Sequence, residues 1–140
     1  MLWAVAVSGI STQVLKAFAS VIWEGRLNWR RTLEPGGMPS SHAASSATMA
    51  TMIGLSSGFD SWLFALSCYA AFVVMYDAAG VRRAVGRQAM VLNQMLGSRN
   101  LKKRAQGLQI KELLGHTPIE VVAGCILGIF WGLVFHYLIG

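Results

Sequence analysis

The sequence is short of charged residues. Asp, Glu, Lys and Arg make up 13% of its 140 residues, whereas hydrophobic residues make up 54%. Soluble domains carry about a quarter charged residues, so this composition argues against an ordinary soluble domain and indicates a chain that lies in a bilayer. The length allows one domain, residues 1–140. The net charge of +6 then fits basic loops facing an anionic leaflet, and no aromatic-basic module points to nucleic acid.

Acidic residues and cysteines are scarce as well. The chain has six acidic residues and two cysteines, Cys68 and Cys125, which both lie in apolar runs. A disulfide framework and a Cys-His protease are therefore not expected, and hydrolysis by paired carboxylates has few candidates. Walker A and HExxH patterns are absent. The apolar N-terminal stretch lacks the basic region of a cleaved signal peptide, so we expect a first membrane span there.

Four stretches are candidates for membrane-spanning helices, which need roughly 20 mostly apolar residues. They are Leu2–Trp23, Ser41–Phe59, Ser61–Gly80 and Glu120–Gly140. The second is the weakest candidate, and its many small residues suit close helix packing. A further helix over Val81–Leu96 has an apolar and a basic face, as expected of a helix at the membrane surface. The sequence thus predicts an all-α integral membrane helical bundle with about four spans plus short interfacial helices.

Apart from Lys16, which lies within the first span, the Lys and Arg residues lie in the first and third predicted loops, and none lies in the second. With four spans these two loops share one side of the membrane, and the positive-inside rule makes that side cytoplasmic. We therefore expect a multi-pass protein of the cytoplasmic (inner) membrane whose active-site face is cytoplasmic. The same topology brings three polar segments to that side, namely Gly36–His42, Tyr76–Arg83 and Leu114–Val121.

The first polar segment, GGMPSSHA, has the residues of an anion site. Gly37 allows close backbone approach to a ligand, Pro39 suits a first helical turn, and the hydroxyls of Ser40 and Ser41 can point at a phosphate. The same letters also fit a plain capped helix start at which His42 is merely interfacial. Both interpretations stay open at this point.

The third segment, LGHTPIEV, offers a nucleophile with a partner. His116 and Glu120 are four residues apart and share a face on a helix, so the carboxylate can hold one imidazole nitrogen while the other attacks. The residues Thr117 to Glu120 also match a capping box with Pro118 in the first helical position. These two roles compete for one glutamate side chain.

The charged candidates have alternatives too. Arg82 and Arg83 in YDAAGVRR can clamp phosphate oxygens, and Asp77 can orient one of them or bind a metal. The alternative for this segment is a snorkelling basic helix end. Lys16, within the first span, either joins the site or snorkels to the near interface.

Three glycines recur at four-residue spacing in the last span, at Gly124, Gly128 and Gly132. Such a row permits a close helix crossing. The crossing is expected within this chain or across a homodimer.

Taken together, GGMPSSHA, YDAAGVRRAVGRQAMVLN and KELLGHTPIEVVAG resemble the divergent branch of the type 2 phosphatidic acid phosphatase superfamily, over nearly the whole chain. That superfamily includes lipid phosphate phosphatases, bacterial acid phosphatases and vanadium haloperoxidases. The resemblance implies a phosphatase without metal or cofactor that hydrolyses an isoprenyl or glycerolipid phosphate or diphosphate. It implies that His116 attacks phosphorus to form a phosphohistidine, that His42 protonates the leaving alcohol, and that Glu120 orients His116.

The sequence departs from the family pattern where phosphate is bound. Lys16 is able to supply the lysine of the first family motif, but the Arg-Pro that should follow it is absent, and Ile110 stands where an arginine precedes the nucleophilic histidine. The residues inferred to replace these arginines are Arg82, Arg83 and Lys111. The departures support a second hypothesis, a catalytically weak or inactive membrane protein that binds phosphate or lipid headgroups. A vanadate haloperoxidase and a metal-dependent variant using Asp77 are further alternatives.

Overall fold

The computed structural model describes residues 1–25, 37–96 and 115–139. These residues form five helices and no strand. The helices are α1 (Leu2–Glu24), α2 (Ser41–Ser57), α3 (Trp62–Ala79), α4 (Val81–Leu96) and α5 (Pro118–Ile139). The predicted all-α fold is confirmed, and the helix predicted from the basic and apolar faces of residues 81–96 has the expected bounds.

Within the described residues, three stretches are long and apolar enough to cross a membrane. They are Leu2–Val21, Trp62–Met95, which contains α3 and all of α4 but its last residue, and Pro118–Leu138. α2 has only 17 residues, or about 25 Å at 1.5 Å per residue, and it is the least hydrophobic of the four helices that correspond to predicted spans. Three of the four predicted spans are therefore supported by length and composition, and crossing by α2 stays a prediction.

A row of glycines lets α5 pack directly on α2. A Cβ added at Gly128 would collide with the carbonyl oxygen of Ala44, and one at Gly132 would lie 2.6 Å from Cβ of Thr51. Gly124 meets the first turn of α2 in the same way. Because residue numbers rise together along both helices, α2 and α5 run parallel. The row thus has a partner within the chain, and the homodimer through the same three glycines stays a prediction.

Polar contacts join α1 to the same pair of helices. Oγ1 of Thr48 lies 2.8 Å from Oγ of Ser8 and 2.9 Å from the carbonyl oxygen of Gly128, so it links α1, α2 and α5. Hydrogen bonds of this kind hold helices together where lipid supplies no competing partners. Nearer one end, Nε2 of Gln13 donates to Oγ of Ser41 at 3.3 Å. The reversed order of these contacts makes α1 antiparallel to α2.

The last turn of α3 and the starts of α2 and α5 meet at one end of the bundle. The N–H of His116 donates to the carbonyl of Ala78 at 3.0 Å, and the N–H of Ser40 donates to the carbonyl of Glu120 at 3.0 Å. These backbone hydrogen bonds tie three segments that are far apart in sequence. The predicted convergence of the polar segments is therefore observed for their described parts.

Candidate active site

Glu120 holds His116 and caps α5 with the same carboxylate oxygen. Its Oε2 lies 3.1 Å from Nδ1 of His116 and accepts the N–H of Thr117 at 3.1 Å. The N–H of Glu120 donates in return to Oγ1 of Thr117 at 3.4 Å, which completes a capping box with Pro118 as the first helical residue. The two roles that compete in the sequence therefore coexist, because both donors approach one oxygen.

His116 is shielded from solvent, with 2% of its surface exposed. Burial lowers the pKa of His116 below its ordinary value of 6.5, the hydrogen bond to Glu120 opposes this shift, and the charge of Lys16 adds to it. A lowered pKa keeps the imidazole neutral near pH 7. With Nδ1 engaged by the carboxylate, Nε2 is the nitrogen that is suited to attack an electrophile.

The chain before α2 comes close to this ring. Gly37 has φ +82°, a left-handed conformation that glycine adopts without steric cost, and its backbone lies near enough to the imidazole of His116 to raise the pKa of that ring. The prediction that Pro39 lies in the first helical turn is wrong. Ser40 has an extended backbone and is the N-cap of α2, so the helix begins at Ser41 and the proline lies outside it.

The two neighbouring serines do different things. Ser40 is fully buried, and its Oγ accepts the N–H of Ala43 at 3.3 Å, so this hydroxyl caps the helix. The capped-start interpretation therefore describes Ser40. Oγ of Ser41 instead accepts a hydrogen bond from Gln13. A serine hydroxyl that accepts one hydrogen bond still has its proton to donate, so Ser41 can donate a hydrogen bond to an anion at the start of α2.

His42 brings a second imidazole to the same end of the bundle. Its ring centroid lies 5.9 Å from that of His116, and the two planes are inclined by 66°. A reacting atom sits about 3 Å from each group that attacks it or donates to it. Rings this close can therefore contact one phosphate-sized group.

Lys16 points into the bundle instead of snorkelling to the interface. Only 5% of its surface is exposed, and its charge acts on both Glu120 and His116. Buried charges require partners, and the carboxylate of Glu120 supplies an opposite one. The ammonium is thus a cation beside His116 and Glu120, where an anionic group would be attracted.

The other candidates lie at the edge of this cluster or beyond it. Asp77 is half-buried in the last turn of α3, directly before Ala78, whose carbonyl contacts His116. The first turn of α4 contains Arg82 and Arg83, but their side chains fall outside the described part of the structure, as does the whole of Lys111. Among the described residues, no group of three His, Cys, Asp or Glu side chains is suited to a metal ion.

Most of the candidates that the structure describes are brought together. The clustered residues are Lys16, Gly37, Ser40, Ser41, His42, His116 and Glu120. Sequence reasoning missed Gln13, which reaches Ser41 from α1. A signal existed, because a polar residue inside an apolar span is by default a functional candidate, and Gln13 lies one helical turn before Lys16.

The fold and the site define a helical membrane protein that carries a pair of histidines at one end of its bundle. The chain belongs to the Divergent PAP2 family, whose family model matches residues 1–131. The uncharacterized membrane protein YuiD of Bacillus subtilis (strain 168) is 40% identical over 139 aligned positions, which cover 91% of this chain and 88% of YuiD. No solved structure matches the chain. The predicted family and the predicted membrane character are thereby confirmed.

Proposed function

We propose that this protein is an integral membrane phosphatase that hydrolyses a lipid phosphate or diphosphate, isoprenyl or glycerolipid, through a phosphohistidine. Its membership in the Divergent PAP2 family suggests phosphatase chemistry. The observation that carries the proposal is the histidine pair. Nδ1 of His116 lies 3.1 Å from Oε2 of Glu120. The ring centroid of His42 lies 5.9 Å from that of His116.

In the first step, Nε2 of His116 attacks phosphorus in line with the ester bond. An N–P bond forms, the P–O bond to the lipid breaks, and the leaving oxygen takes a proton from the imidazolium of His42. Glu120 stabilises the positive charge that develops on the His116 ring, as a carboxylate paired with a catalytic histidine does. Its second contact, to the N–H of Thr117, keeps that carboxylate in position.

In the second step, water attacks the phosphohistidine. The neutral imidazole of His42 takes a proton from the water, the new P–O bond forms, the N–P bond breaks, and inorganic phosphate leaves. Both imidazoles return to their starting protonation states, so the cycle needs no cofactor. General acid and base catalysis by one residue in successive steps is chemically reasonable because the second step reverses the first.

Phosphate binding falls to groups around the histidines. The buried ammonium of Lys16 supplies a charge, and Ser41 supplies a hydroxyl proton at the start of α2, where helix N-termini favour anions. Arg82, Arg83 and Lys111 are proposed as further cations. The substrate headgroup would meet this end of the bundle, which we assign to the cytoplasmic face of the inner membrane from the distribution of basic loops, while its tails stay in the bilayer.

Purified protein in detergent micelles provides the test. Wild type is expected to release phosphate from isoprenyl or glycerolipid phosphates and to form an acid-labile, base-stable phosphoprotein with labelled substrate. His116→Ala should do neither. The matched control is His136→Ala, since that histidine lies in the last turn of α5, about 30 Å along the helix axis from His116, which precedes the first turn. Equal phosphate release by wild type and His116→Ala would refute the catalytic claim.

A second candidate is a protein that binds phosphate or lipid headgroups without turnover. It is favoured by the absence of the Arg-Pro motif and by Ile110 at the position of a family arginine. Arginine clamps stabilise transferring phosphoryl groups more than resting ones, so their loss reduces turnover more than binding. Tight binding of inorganic phosphate or vanadate, without hydrolysis across a broad panel of lipid phosphates, would select this alternative.

A further inference from the structure

Gln13 makes an unusual contact beside the site. Its Nε2 donates to Oγ of Ser41 at 3.3 Å, yet its Oε1 is buried without a hydrogen-bond partner among the described residues. A buried amide oxygen that lacks a partner costs free energy, and such groups in native structures call for an explanation. An apolar side chain would fill this position at lower cost if packing were its only purpose.

The position of Gln13 connects two parts of the candidate site. It lies three residues before Lys16, so the two side chains share a face of α1, and that face turns toward the start of α2. Its partner Ser41 is the first residue of α2, between the N-cap Ser40 and His42. The contact therefore joins the helix that carries the buried cation to the helix that carries the second histidine.

The direction of this hydrogen bond determines what Ser41 can do. A serine hydroxyl has one proton and two acceptor positions. Because Gln13 donates to Oγ, the proton of Ser41 is not used in this contact and is available to an anion. A side chain that could only accept at this position would take that proton and leave the hydroxyl unable to donate elsewhere.

We propose that Gln13 is a positioning residue that holds the hydroxyl of Ser41 as a hydrogen-bond donor to the phosphoryl group of the substrate. The inference rests on the proposed phosphate site and adds a residue from α1 to it. Gln13 acts through Ser41 and does not touch the substrate. The unpaired Oε1 is tolerated because the opposite amide orientation would accept the proton of Ser41.

The test measures dissociation constants for inorganic phosphate with the full chain in detergent micelles. Gln13→Met, which keeps the length of the side chain, is expected to weaken binding about tenfold, the effect of losing one hydrogen bond to a charged group. Ser41→Ala should weaken it to a similar degree. In the Ser41→Ala background, Gln13→Met should have no further effect, because coupled residues do not contribute independently.

Gln13→Glu tests the direction of the contact. A carboxylate of the same length accepts the proton of Ser41, so phosphate should bind more weakly than to Gln13→Met. The matched control is Thr12→Val, since Thr12 is a buried neighbour on α1 whose hydroxyl, among the described residues, donates to the carbonyl of Ser8 within its own helix. This variant should bind phosphate as wild type does, and a thermal melt of each variant monitors folding.

The outcomes separate this inference from the proposed function. If wild type binds no phosphate, the proposed function fails and this inference falls with it. If wild type binds phosphate and both Gln13→Met and Gln13→Glu bind it as tightly as wild type does, the inference alone is wrong. A loss from Gln13→Met that persists undiminished in the Ser41→Ala background would also overturn it, because Gln13 would then not act through Ser41.

Discussion

Oε2 of Glu120 lies 3.1 Å from Nδ1 of His116, and the same oxygen accepts the N–H of Thr117 at 3.1 Å. The first contact orients a candidate nucleophile, and the second caps the helix on which the glutamate lies. Because one atom makes both contacts, the orientation of the imidazole depends on the integrity of the first turn of α5. Helix capping and site geometry are therefore coupled at this residue.

Glu120→Gln should separate charge from capping. Glutamine is an accepted partner in a capping box, so the melting temperature should stay close to that of wild type. The neutral amide cannot stabilise the imidazolium and can favour the wrong tautomer, so turnover should fall about a hundredfold. Glu120→Ala, which loses the cap as well, should lower the stability by about 1 kcal/mol in addition. Unchanged turnover in Glu120→Gln would limit the glutamate to a capping role.

The features predictable from the sequence are those determined by local chemistry or by the order of the membrane spans. The capping box at the start of α5 and the helix over residues 81–96 follow from short-range patterns, and both are observed. The meeting of His42 and His116 at one end follows from the alternation of spans, because neighbouring chain segments must return across the bilayer. The prediction for Pro39, in contrast, is wrong, because serine is itself a strong N-cap and the helix therefore begins two residues later, at Ser41.

Other features depend on the register between helices, which no local pattern specifies. The contact between Gln13 and Ser41 exists because α1 and α2 are aligned by the deeper pairing of Ser8 with Thr48. The dual role of Glu120 depends on angles that spacing alone does not give. The Gln13–Ser41 contact and the dual role of Glu120 are therefore visible only in the packed structure.

The pH dependence of activity should move in opposite directions in two variants. Attack requires a neutral His116, whose pKa is lowered by burial and by the charge of Lys16 and raised by Glu120. In wild type, the acidic limb of kcat/KM should therefore lie below pH 6.5. Lys16→Met removes a charge that opposes protonation, so the limb should move to higher pH. Glu120→Gln removes a charge that favours protonation, so the limb should move to lower pH.

The quantity to measure is the pH at the midpoint of the acidic limb of kcat/KM, because both variants also lower the rate itself. The kcat/KM profile reports the free enzyme and is best recorded between about pH 5 and 8, where histidine titrates. The control is His136→Ala, which leaves His116 and its neighbours unaltered. Shifts in the same direction for both variants would contradict the assignment of the limb to His116.

His42→Ala should slow the hydrolysis of alkyl phosphates far more than that of aryl phosphates. An alkoxide is a poor leaving group and needs a proton, whereas a phenolate with a low pKa leaves unassisted. General acids contribute about 10²- to 10⁴-fold, so the alkyl reaction should lose an effect of that size and the aryl reaction much less. Equal losses on both substrates would favour the interpretation of His42 as an interfacial residue.

Gly128→Ala should destabilise the bundle. The added Cβ would collide with the carbonyl oxygen of Ala44, which is backbone and cannot rotate away, so α5 must move off α2. Overpacking of this kind costs about 1–3 kcal/mol and should appear as a lower melting temperature in detergent. The matched control is Ile126→Ala, since Ile126 lies on the exposed side of the same helix and its truncation leaves the contact between the helices intact.

Gly128→Ala also distinguishes the two predicted roles of the glycine row, packing within the chain and dimerisation. If the row serves packing within the chain, the loss of stability should be the same at every protein concentration. If it joins two copies, the stability should depend on concentration, and Gly128→Ala should convert a dimer into a monomer on size exclusion.

The first glycine of the row also affects the candidate site, because Gly124 lies against the carbonyl of Ser40. Gly124→Ala should therefore push the start of α2 away from Glu120 and lower activity more than Gly128→Ala does at equal loss of stability.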